Sequence, residues 1–435
     1  MSRLLIAGGR VLLPDTTTER ADVLVDQNAG TIEAVTPRDG RPAHVADDEL
    51  DAEDGLVVPG LVNAHTHVPM SLFRGSADDK PLETWLREDI WPVEAELRAE
   101  DVAAGARLGV AEMIRTGTTA FGDMYFFMPE VADVVAEAGV RARLGRGCLS
   151  VGKDDEAARE DFEAGLAFAR EYDGHADGRV RTMFTPHSLT TVDGKYFREF
   201  LPAAREAEVP VHAHANETED EVDPILAEHG RRPLAWADGF GLLDAETYVA
   251  HAVHVDAAEI DLLSERGTAV AHCPAANMKL ASGIAPVQSM LDAGVTVGLG
   301  TDGPASNNNL DMFGEMRDAA MVGKLATDDA SAVDAATALE LSTQGSAAVL
   351  GLDSGRIGVG ADADLAVVDL AAPHLTPQHD LVSHLVYAAT GSDVRHTVCD
   401  GQVLMRDREL LTVDEAAARR EATDRAEALF DRADT

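Results

Sequence analysis

The sequence predicts an α/β protein: a (β/α)8 TIM barrel joined to a small β-sandwich domain formed by the two chain ends. Short apolar runs alternate eight times with helical or loop stretches, which is typical of a barrel. Strand-like segments separated by turn residues occupy both ends, and 435 residues suit a barrel with an accessory domain. A doubly wound sheet would use fewer strands and usually a glycine-rich first turn, but no G-x-G-x-x-G follows the first strand.

Residues 1–57 and 358–410 are predicted to form the small β domain together. Asp400-Gly401 has the composition of a tight turn between strands. Residues 411–435 carry Ala, Glu, Asp and Arg at helical spacing, which predicts an acidic surface helix. The strand-like segments of the β domain are Leu4–Ala7, Val23–Val25, Ile32–Val35, Leu365–Val368 and Val398–Met405.

Residues 58–357 are predicted to form the barrel. Because the C-terminal ends of barrel strands converge at one mouth, the polar side chains that follow the apolar runs should face a common pocket. The eight runs are Val57–Val62, Thr118–Phe121, Ala142–Gly145, Arg181–Phe184, Val209–His212, Tyr248–Ala250, Ala269–Ala271 and Val295–Gly298. The polar residues at their ends are His65, His67, Asp123, Arg146, His187, His214, His251, His272 and Asp302.

The charge of the chain restricts its partners. A formal net charge of -41 at pH 7 disfavours nucleic acid and anionic membrane surfaces, because both would be repelled. A dense carboxylate surface with few lysines resembles proteins of salt-accumulating organisms, in which salt screens self-repulsion. The composition therefore favours a halophilic source over an ordinary acidic cytosolic protein. The lysines are Lys80, Lys153, Lys195, Lys279 and Lys324.

The sequence also predicts a cytoplasmic protein. Cys148, Cys273 and Cys399 are odd in number and widely spaced, which indicates a reducing compartment rather than a disulfide framework. The first residues run directly into a strand pattern without the shape of a signal peptide. No apolar run approaches the ~20 residues that a membrane-spanning helix needs.

Four residues at strand ends form a candidate metal site. His65 and His67 lie two apart at the end of a strand, so both imidazoles can point to one ion. His214 and Asp302 at later strand ends complete a nitrogen and oxygen set that suits Zn2+ or Fe2+. The alternative is that these histidines cap strands or satisfy buried polar groups, which is improbable at four strand ends together.

Other polar residues have assigned or alternative roles. Glu217, three residues after His214, is a candidate proton shuttle, with a solvated helix start over Glu217–Glu221 as the alternative. In the segment His251–His254, we expect the His251 side chain to face the site and the His254 side chain to have a structural role. His212 should lie nearer the barrel interior.

Two further parts of the sequence carry polar residues that could serve other chemistry. His272-Cys273-Pro274 is expected to form a pocket wall rather than a second metal site, since Cys273 has no partner cysteine nearby. Asp123 is as well explained by a hydrogen bond inside the barrel as by a catalytic role. Serine-type catalysis is not supported, because the chain has no G-x-S-x-G elbow.

Several motifs together resemble a known family. The segment Pro59–His67 looks like the first-strand signature of the amidohydrolase superfamily. Further motifs resemble the methylthioadenosine/S-adenosylhomocysteine deaminase group, in the branch that also contains triazine hydrolases. These are Ala77–Asp79 with Leu82, Trp85 and Leu86, then His214–Thr218, His272–Pro274, Asn277–Pro286, Gly300–Gly303 and Ser306–Asn308. The resemblance covers residues 4 to 410.

The resemblance implies a mononuclear hydrolytic site, because no lysine ends a central strand to bridge two ions. Glu217 would contact the purine and protonate a ring nitrogen. Asp302 and His251 would accept or orient the proton of the attacking water, and Asp302 would also contact the substrate. The water would replace the 6-amino group of the purine and release ammonia.

The resemblance also implies how a nucleoside would be held. Glu94 would bind the ribose hydroxyls, and Trp85 beside it favours a ribosyl substrate. His187 would hydrogen-bond the nucleoside, and Arg146 would line its far end. Arg159 is the only nearby candidate for a second arginine there.

The expected substrates are 5′-methylthioadenosine, S-adenosylhomocysteine, 5′-deoxyadenosine and adenosine, each converted to the inosine analogue. Alternatives are a free nucleobase or triazine, such as guanine, cytosine or an s-triazine, and a non-catalytic barrel scaffold. Loss of metal ligands would mark a scaffold, and all the expected ligands are present. The preferred 5′ substituent, the native metal and homo-oligomer formation stay open.

Overall fold

The computed structural model describes residues 2–38 and 45–434. Met1, residues 39–44 and Thr435, which belong to the predicted end segments, lie outside the described residues. In chain order the strands are β1 (Arg3–Ala7), β2 (Arg10–Leu12), β3 (Thr18–Asp26), β4 (Thr31–Pro37), β5 (Asp48–Asp51), β6 (Gly55–Pro59), β7 (Leu61–Thr66), β8 (Thr118–Tyr125), β9 (Arg141–Cys148), β10 (Val180–Thr182), β11 (Thr185–Pro186), β12 (Val211–Ala215), β13 (Thr247–His251), β14 (Ala269–His272), β15 (Val297–Leu299), β16 (Leu365–Asp369), β17 (Val394–Cys399), β18 (Gln402–Arg406) and β19 (Glu409–Leu410).

The helices surround these strands and vary widely in length. They are α1 (Leu82–Trp85), α2 (Trp91–Glu94), α3 (Ala99–Arg115), α4 (Met128–Ala138), α5 (Asp155–Glu171), α6 (Gly194–Glu206), α7 (Glu219–His229), α8 (Pro233–Asp238), α9 (Ala257–Arg266), α10 (Pro274–Lys279), α11 (Val287–Asp292), α12 (Met312–Thr327), α13 (Ala335–Glu340), α14 (Ser346–Val349), α15 (Leu381–Tyr387) and α16 (Glu415–Ala433). Short 3-10 or π turns cover Val68–Phe73, Leu86–Ile90, Ala176–Gly178, Leu341–Gly345, Pro373–Leu375 and Gly391–Asp393.

Strands β7 to β15 form the barrel, and their pairings are parallel. β10 and β11 share one strand position, because both pair with β9. Single bridges from Phe184 to Val211 and from Ser188 to His214 connect this position to β12. On the other side, the Asp302 N–H donates to the His65 carbonyl at 3.0 Å and closes the ring between β15 and β7.

The barrel elements follow from the distribution of apolar residues. Every residue of β8 is buried, as expected for a parallel strand covered on both faces. On α3, Val102, Ala106, Val110 and Met113 recur at helical spacing and are buried on one face of the helix. These faces join a continuous apolar core between the barrel and its helices.

The chain ends pair in a second sheet that runs in the order β19-β18-β17-β16-β6-β2-β3-β1-β5, with β4 beside β3. It has an apolar core of its own, which includes Ile6, Val23, Val57 and Val367. The predicted Asp400-Gly401 turn joins β17 to β18, with positive φ angles of 52° and 72°. The predicted fold class is confirmed, whereas the limits of the predicted domains stay a prediction.

One predicted strand is wrong in its extent. The apolar run Val57–Val62 is two strands, because the chain leaves the end sheet after β6 and enters the barrel at β7. Gly60 makes the transition, and a Cβ at this position would overlap the Thr119 side chain. Continuous hydrophobicity cannot distinguish one strand from two that bury into different cores.

Helix α16 packs against α3, as expected of a helix with one apolar face. Its buried residues are Ala418, Ala422 and Leu429. The Phe430 ring lies 5.9 Å from the ring of Phe73, which belongs to the turn directly after His67. The helix therefore supports the segment that carries part of the candidate site.

Among residues 2–38 and 45–434, every helix is too short or too polar to cross a bilayer. Cys148, Cys273 and Cys399 are buried free thiols.

Candidate active site

The four predicted metal ligands meet at the mouth of the barrel. One donor atom from each of His65, His67, His214 and Asp302 lies within 4.8 Å of the others. Asp302 Oδ1 is 3.3 Å from His65 Nε2 and 3.2 Å from His67 Nε2. The strands thus bring together residues that are far apart in the sequence.

Side-chain hydrogen bonds between the first and last barrel strands position this group. The Asn63 side chain donates to Thr301 Oγ1 at 2.7 Å and accepts from the Thr301 N–H at 3.0 Å. Thr66 Oγ1 donates to the Asp302 carbonyl at 2.9 Å. Asp302 itself has a positive φ of 58°, which places its carboxylate over the barrel axis beside His65.

The residues present fit a divalent transition metal. His65 Nε2 is buried and has no hydrogen-bond partner. Buried polar atoms usually have one, so this nitrogen is in the state expected of an atom that binds a metal ion. Burial lowers the pKa of His65 to about 4 and that of His214 well below its usual value. Burial opposes protonation of His67 as well, but the contact with Asp302 outweighs it and raises the pKa of His67 to about 9.

Glu217 and His251 stand beside this group. His251 Nε2 is 3.7 Å from Glu217 Oε2, and His251 Nδ1 lies 2.9 Å from Asn277 Oδ1. Burial raises the pKa of Glu217, and the charge of Asp302 adds to this effect. Burial lowers the pKa of His251, but Glu217 and Asp302 outweigh it and produce a net rise. A carboxyl group next to an imidazole is an arrangement that can donate a proton to a ligand and accept one from it.

A largely apolar pocket opens above these groups. His187 and Trp85 line it, as the resemblance implies. The Trp85 indole is held in place because its Nε1–H donates to the Ala77 carbonyl at 3.2 Å. Burial lowers the pKa of His187 to about 3, so this ring is neutral. The apolar lining is Met70, Leu82, Leu86, Ile90, Trp91, Met124, Phe126 and Leu149.

Glu94 also lines the pocket and has a partner that the sequence did not indicate. The Tyr125 hydroxyl donates to Glu94 Oε1 at 2.7 Å. Burial raises the pKa of Glu94 to about 7, and the hydrogen bond from Tyr125 opposes the rise. The second carboxylate oxygen leaves Glu94 able to accept hydrogen bonds from a ligand.

The structure does not bring the predicted arginines into the pocket. Arg146 Nη2 is 2.7 Å from Asp161 Oδ1, on the outer side of strand β9. Arg159 is exposed and pairs with Glu199. The neighbouring Gly147 lines the pocket instead. A substrate contact by Arg146 or Arg159 stays a prediction that would need these ion pairs to open.

The structure adds site residues that sequence reasoning missed. Ser306 Oγ donates to Asp302 Oδ2 at 2.7 Å, which holds the carboxylate in one orientation. Glu221 Oε2 accepts from the Glu217 N–H at 2.7 Å. Ser306 could have been identified from its place in the family motif Ser306–Asn308. Glu221 could have been identified from its position in the first turn of α7, shortly after Glu217.

Three other polar residues make structural contacts, as the sequence predicts for His254 and His212 and as it allows for Asp123. His254 turns away from the site and lies 2.6 Å from the Ser282 carbonyl through Nε2. Asp123 accepts from the Val68 N–H at 2.8 Å, which supports the turn after His67. His212 is fully buried in the barrel interior.

Residues 56–404 match the model of the amidohydrolase family. The chain belongs to the amidohydrolase family. The family predicted from its motifs is therefore confirmed, and this amidohydrolase is similar over nearly its whole length to named sequences and to solved structures.

A relative from Haloarcula marismortui, named 5-methylthioadenosine/S-adenosylhomocysteine deaminase, is 67% identical over 433 residues and covers 100% of both chains. A relative from Methanosarcina mazei, named 5′-deoxyadenosine deaminase, is 43% identical and covers 97% of this chain and 99% of its own. The crystal structure of an adenosine deaminase from Xanthomonas campestris with bound zinc superposes with a TM-score of 0.92, at 39% identity and 98% coverage of both chains.

Proposed function

We propose that this amidohydrolase is a hydrolytic deaminase of adenine nucleosides with a modified 5′ position. The observation that carries the proposal is the convergence of four metal-ligand side chains, an acid and an imidazole on one pocket. The names of the two relatives support the same reaction and substrate class. The products would be an inosine analogue and ammonia.

In this proposal His65, His67, His214 and Asp302 hold one divalent ion. Zn2+ is favoured over Fe2+ by the zinc-bound Xanthomonas structure. Held there, a divalent ion would supply Lewis acidity and help to generate the hydrolytic nucleophile. Asp302 Oδ1 faces His65 and His67, while Ser306 keeps Oδ2 occupied, so the carboxylate presents one fixed oxygen to the site.

The remaining residues move protons and hold the substrate. The Glu217 carboxyl protonates a purine ring nitrogen, which makes C6 more electrophilic. His251 Nε2 accepts a proton from the attacking water, because its Nδ1 is engaged by Asn277. His187 hydrogen-bonds the nucleoside, and Trp85 packs against it.

We propose that the pocket holds a ribosyl group. Glu94 presents a carboxylate oxygen to the two ribose hydroxyls, while Tyr125 holds the other oxygen. The apolar lining can accommodate various 5′ groups, so we propose broad tolerance there. The reaction is further proposed to take place in the cytoplasm, with no nucleic-acid partner.

One screen tests the proposal. Zinc-loaded or iron-loaded protein in molar KCl is assayed for ammonia release from adenosine, 5′-deoxyadenosine, methylthioadenosine, S-adenosylhomocysteine, guanine and cytosine. We expect turnover of the four nucleosides and little or none of the free bases. Preferential turnover of guanine or cytosine would replace the nucleoside assignment with a nucleobase one.

A further inference from the structure

Four imidazoles at the candidate metal group are each held through Nδ1, which leaves their Nε2 atoms facing the site. Three of the four partners are oxygen atoms, and a carbonyl oxygen can only accept a hydrogen bond. His65 is the exception, since its partner is another imidazole. The contacts are His67 Nδ1 to Met124 O at 2.5 Å, His214 Nδ1 to His187 O at 2.7 Å, His251 Nδ1 to Asn277 Oδ1 at 2.9 Å, and His65 Nδ1 to His212 Nε2 at 2.9 Å.

Hydrogen-bond accounting determines which atoms carry protons in the His65–His212 pair. His212 Nδ1 lies 3.1 Å from the Tyr248 carbonyl oxygen, so this nitrogen is the donor. A neutral imidazole carries a single N–H, so His212 Nε2 is an acceptor. His65 Nδ1 must then donate, and His65 Nε2 is left with a free lone pair.

The surroundings hold His212 in this orientation. Its ring is fully buried and stacks on the Tyr248 ring at a centroid distance of 3.9 Å and an interplanar angle of 13°. Its position on β12, two residues before His214, places it one layer deeper in the barrel than the ligand group. From there it contacts His65 from below the site.

We infer that His212 is a positioning residue that fixes the tautomer and orientation of His65 and thereby sets the metal affinity of the site. Partners of this kind usually alter metal affinity by about 10–100-fold when they are removed. The inference rests on the proposed metal ligation by His65 and is independent of the substrate.

Two amide variants separate the contacts of His212. The Gln side-chain oxygen reaches about as far as imidazole Nε2, so His212→Gln retains an acceptor for His65 and loses the bond to Tyr248. The Asn amide nitrogen mimics Nδ1, so His212→Asn retains the Tyr248 bond and loses the acceptor for His65. Both variants lose the stacked ring, which makes them a matched pair.

The measurement is Zn2+ affinity by chelator competition in molar KCl, with the Tm of metal-free protein as the check of folding. We expect His212→Asn to bind Zn2+ about 10–100-fold more weakly than wild type, and His212→Gln to stay within a few-fold. His396→Asn is the control, because His396 is also a buried histidine whose Nε2 lies 3.0 Å from a carbonyl, that of Asp51 in the end sheet. This control should bind like wild type.

The outcomes distinguish the inference from the proposed function. Equal affinities of the Asn and Gln variants, whether both are weakened or both unchanged, would overturn the role of His212. Failure of the wild type to bind Zn2+ would instead overturn the metal site. If either variant does not fold, 15N-imidazole NMR of zinc-loaded wild type decides: His212 should be protonated at Nδ1 alone, and a proton on Nε2 would refute the inference.

Discussion

Buried carboxyl groups at the pocket differ in what occupies their oxygen atoms. One oxygen of Glu221 accepts a hydrogen bond from the Glu217 backbone N–H, and one oxygen of Glu94 accepts a hydrogen bond from the Tyr125 hydroxyl. Within residues 2–38 and 45–434 the Glu217 carboxyl accepts no such bond, and it faces His251 across 3.7 Å. Its carboxyl is therefore the one left free to exchange a proton with a ligand, which makes it the first residue to test.

The Glu217→Gln variant should keep its metal and lose about 10²-fold or more of kcat, because an amide retains the shape of the acid but cannot transfer its proton. Glu219→Gln is the matched control, since it removes the same charge from an exposed position nearby. The measurements are kcat for methylthioadenosine and zinc content. A kcat near that of wild type would remove Glu217 from its proposed role.

Glu94 should determine recognition of the ribose. In wild type we expect 2′-deoxyadenosine to lose roughly 1–3 kcal/mol of transition-state binding relative to adenosine, because an acceptor is left unpaired. Glu94→Gln should reduce kcat/KM for adenosine far more than for adenine. Tyr125→Phe should weaken the same discrimination, since it frees the carboxylate that the phenol holds. An equal effect on adenine and adenosine would contradict the ribose contact.

At the level of elements, the strand ends explain why the site is compact. His251 ends β13 with a positive φ of 73°, and Asp302, after β15, has one of 58°. Such angles are costly for residues other than glycine, at about 1–3 kcal/mol each, and persist only where the surroundings determine them. Here the sharp change of direction brings both side chains over the end of the barrel.

These strand ends should hold one metal ion per chain. A second group of potential metal ligands consists of His65, His251 and Cys273. Because His65 also belongs to the four-ligand group, two separate ions cannot occupy the two groups at the same time. Elemental analysis of purified protein should give one equivalent, and Cys273→Ser should leave this value unchanged. Two equivalents in wild type would show that the site is binuclear.

Helix α16 should contribute measurably to stability. Leu429 is a residue of this helix and its side chain is fully buried, so Leu429→Ala should cost about 2–5 kcal/mol through lost burial and a cavity. Leu411→Ala is the control, because Leu411 is exposed just before the helix. Calorimetry in molar KCl should show a lower Tm for Leu429→Ala only. Equal Tm values for the two variants would mean that α16 is not part of the cooperative unit.

Strand ends were also the part of the site that sequence could predict. His65, His67, His214 and Asp302 each follow an apolar run, and barrel geometry alone makes such positions converge. The Tyr125–Glu94 contact could not be predicted, because it depends on how α2 docks over the end of β8. The position of Arg146 was not predicted: neighbours on a strand point to opposite faces, and on β9 it is Gly147 that lines the pocket.

At the level of the whole molecule, charge dominates. The net charge of -41 imposes self-repulsion, because the 77 acidic residues outnumber the 36 basic ones, and salt screens it. The surface ion pairs seen here, such as Arg3 with Glu33, offset a small part of it. The relative from Haloarcula marismortui, with a similarity that spans the full chain, fits the halophilic source predicted from composition.

Stability and activity should therefore require molar salt. At 1 M ionic strength the screening length falls to about 3 Å, which removes most of the repulsion between surface carboxylates. We expect both the Tm and the deaminase rate to rise steeply from dilute buffer to molar KCl. The same Tm in both solutions would refute a salt requirement.

The end sheet has a consequence for synthesis of the protein on the ribosome. Pro59 of β6 pairs with Leu365 of β16, so nearly the whole barrel is translated between the two partners. Until β16 emerges, the apolar strand β6 of the nascent chain has β2 on one edge and no partner strand on the other. Such an edge can pair with another nascent chain, so the late arrival of β16 exposes the protein to aggregation during this interval.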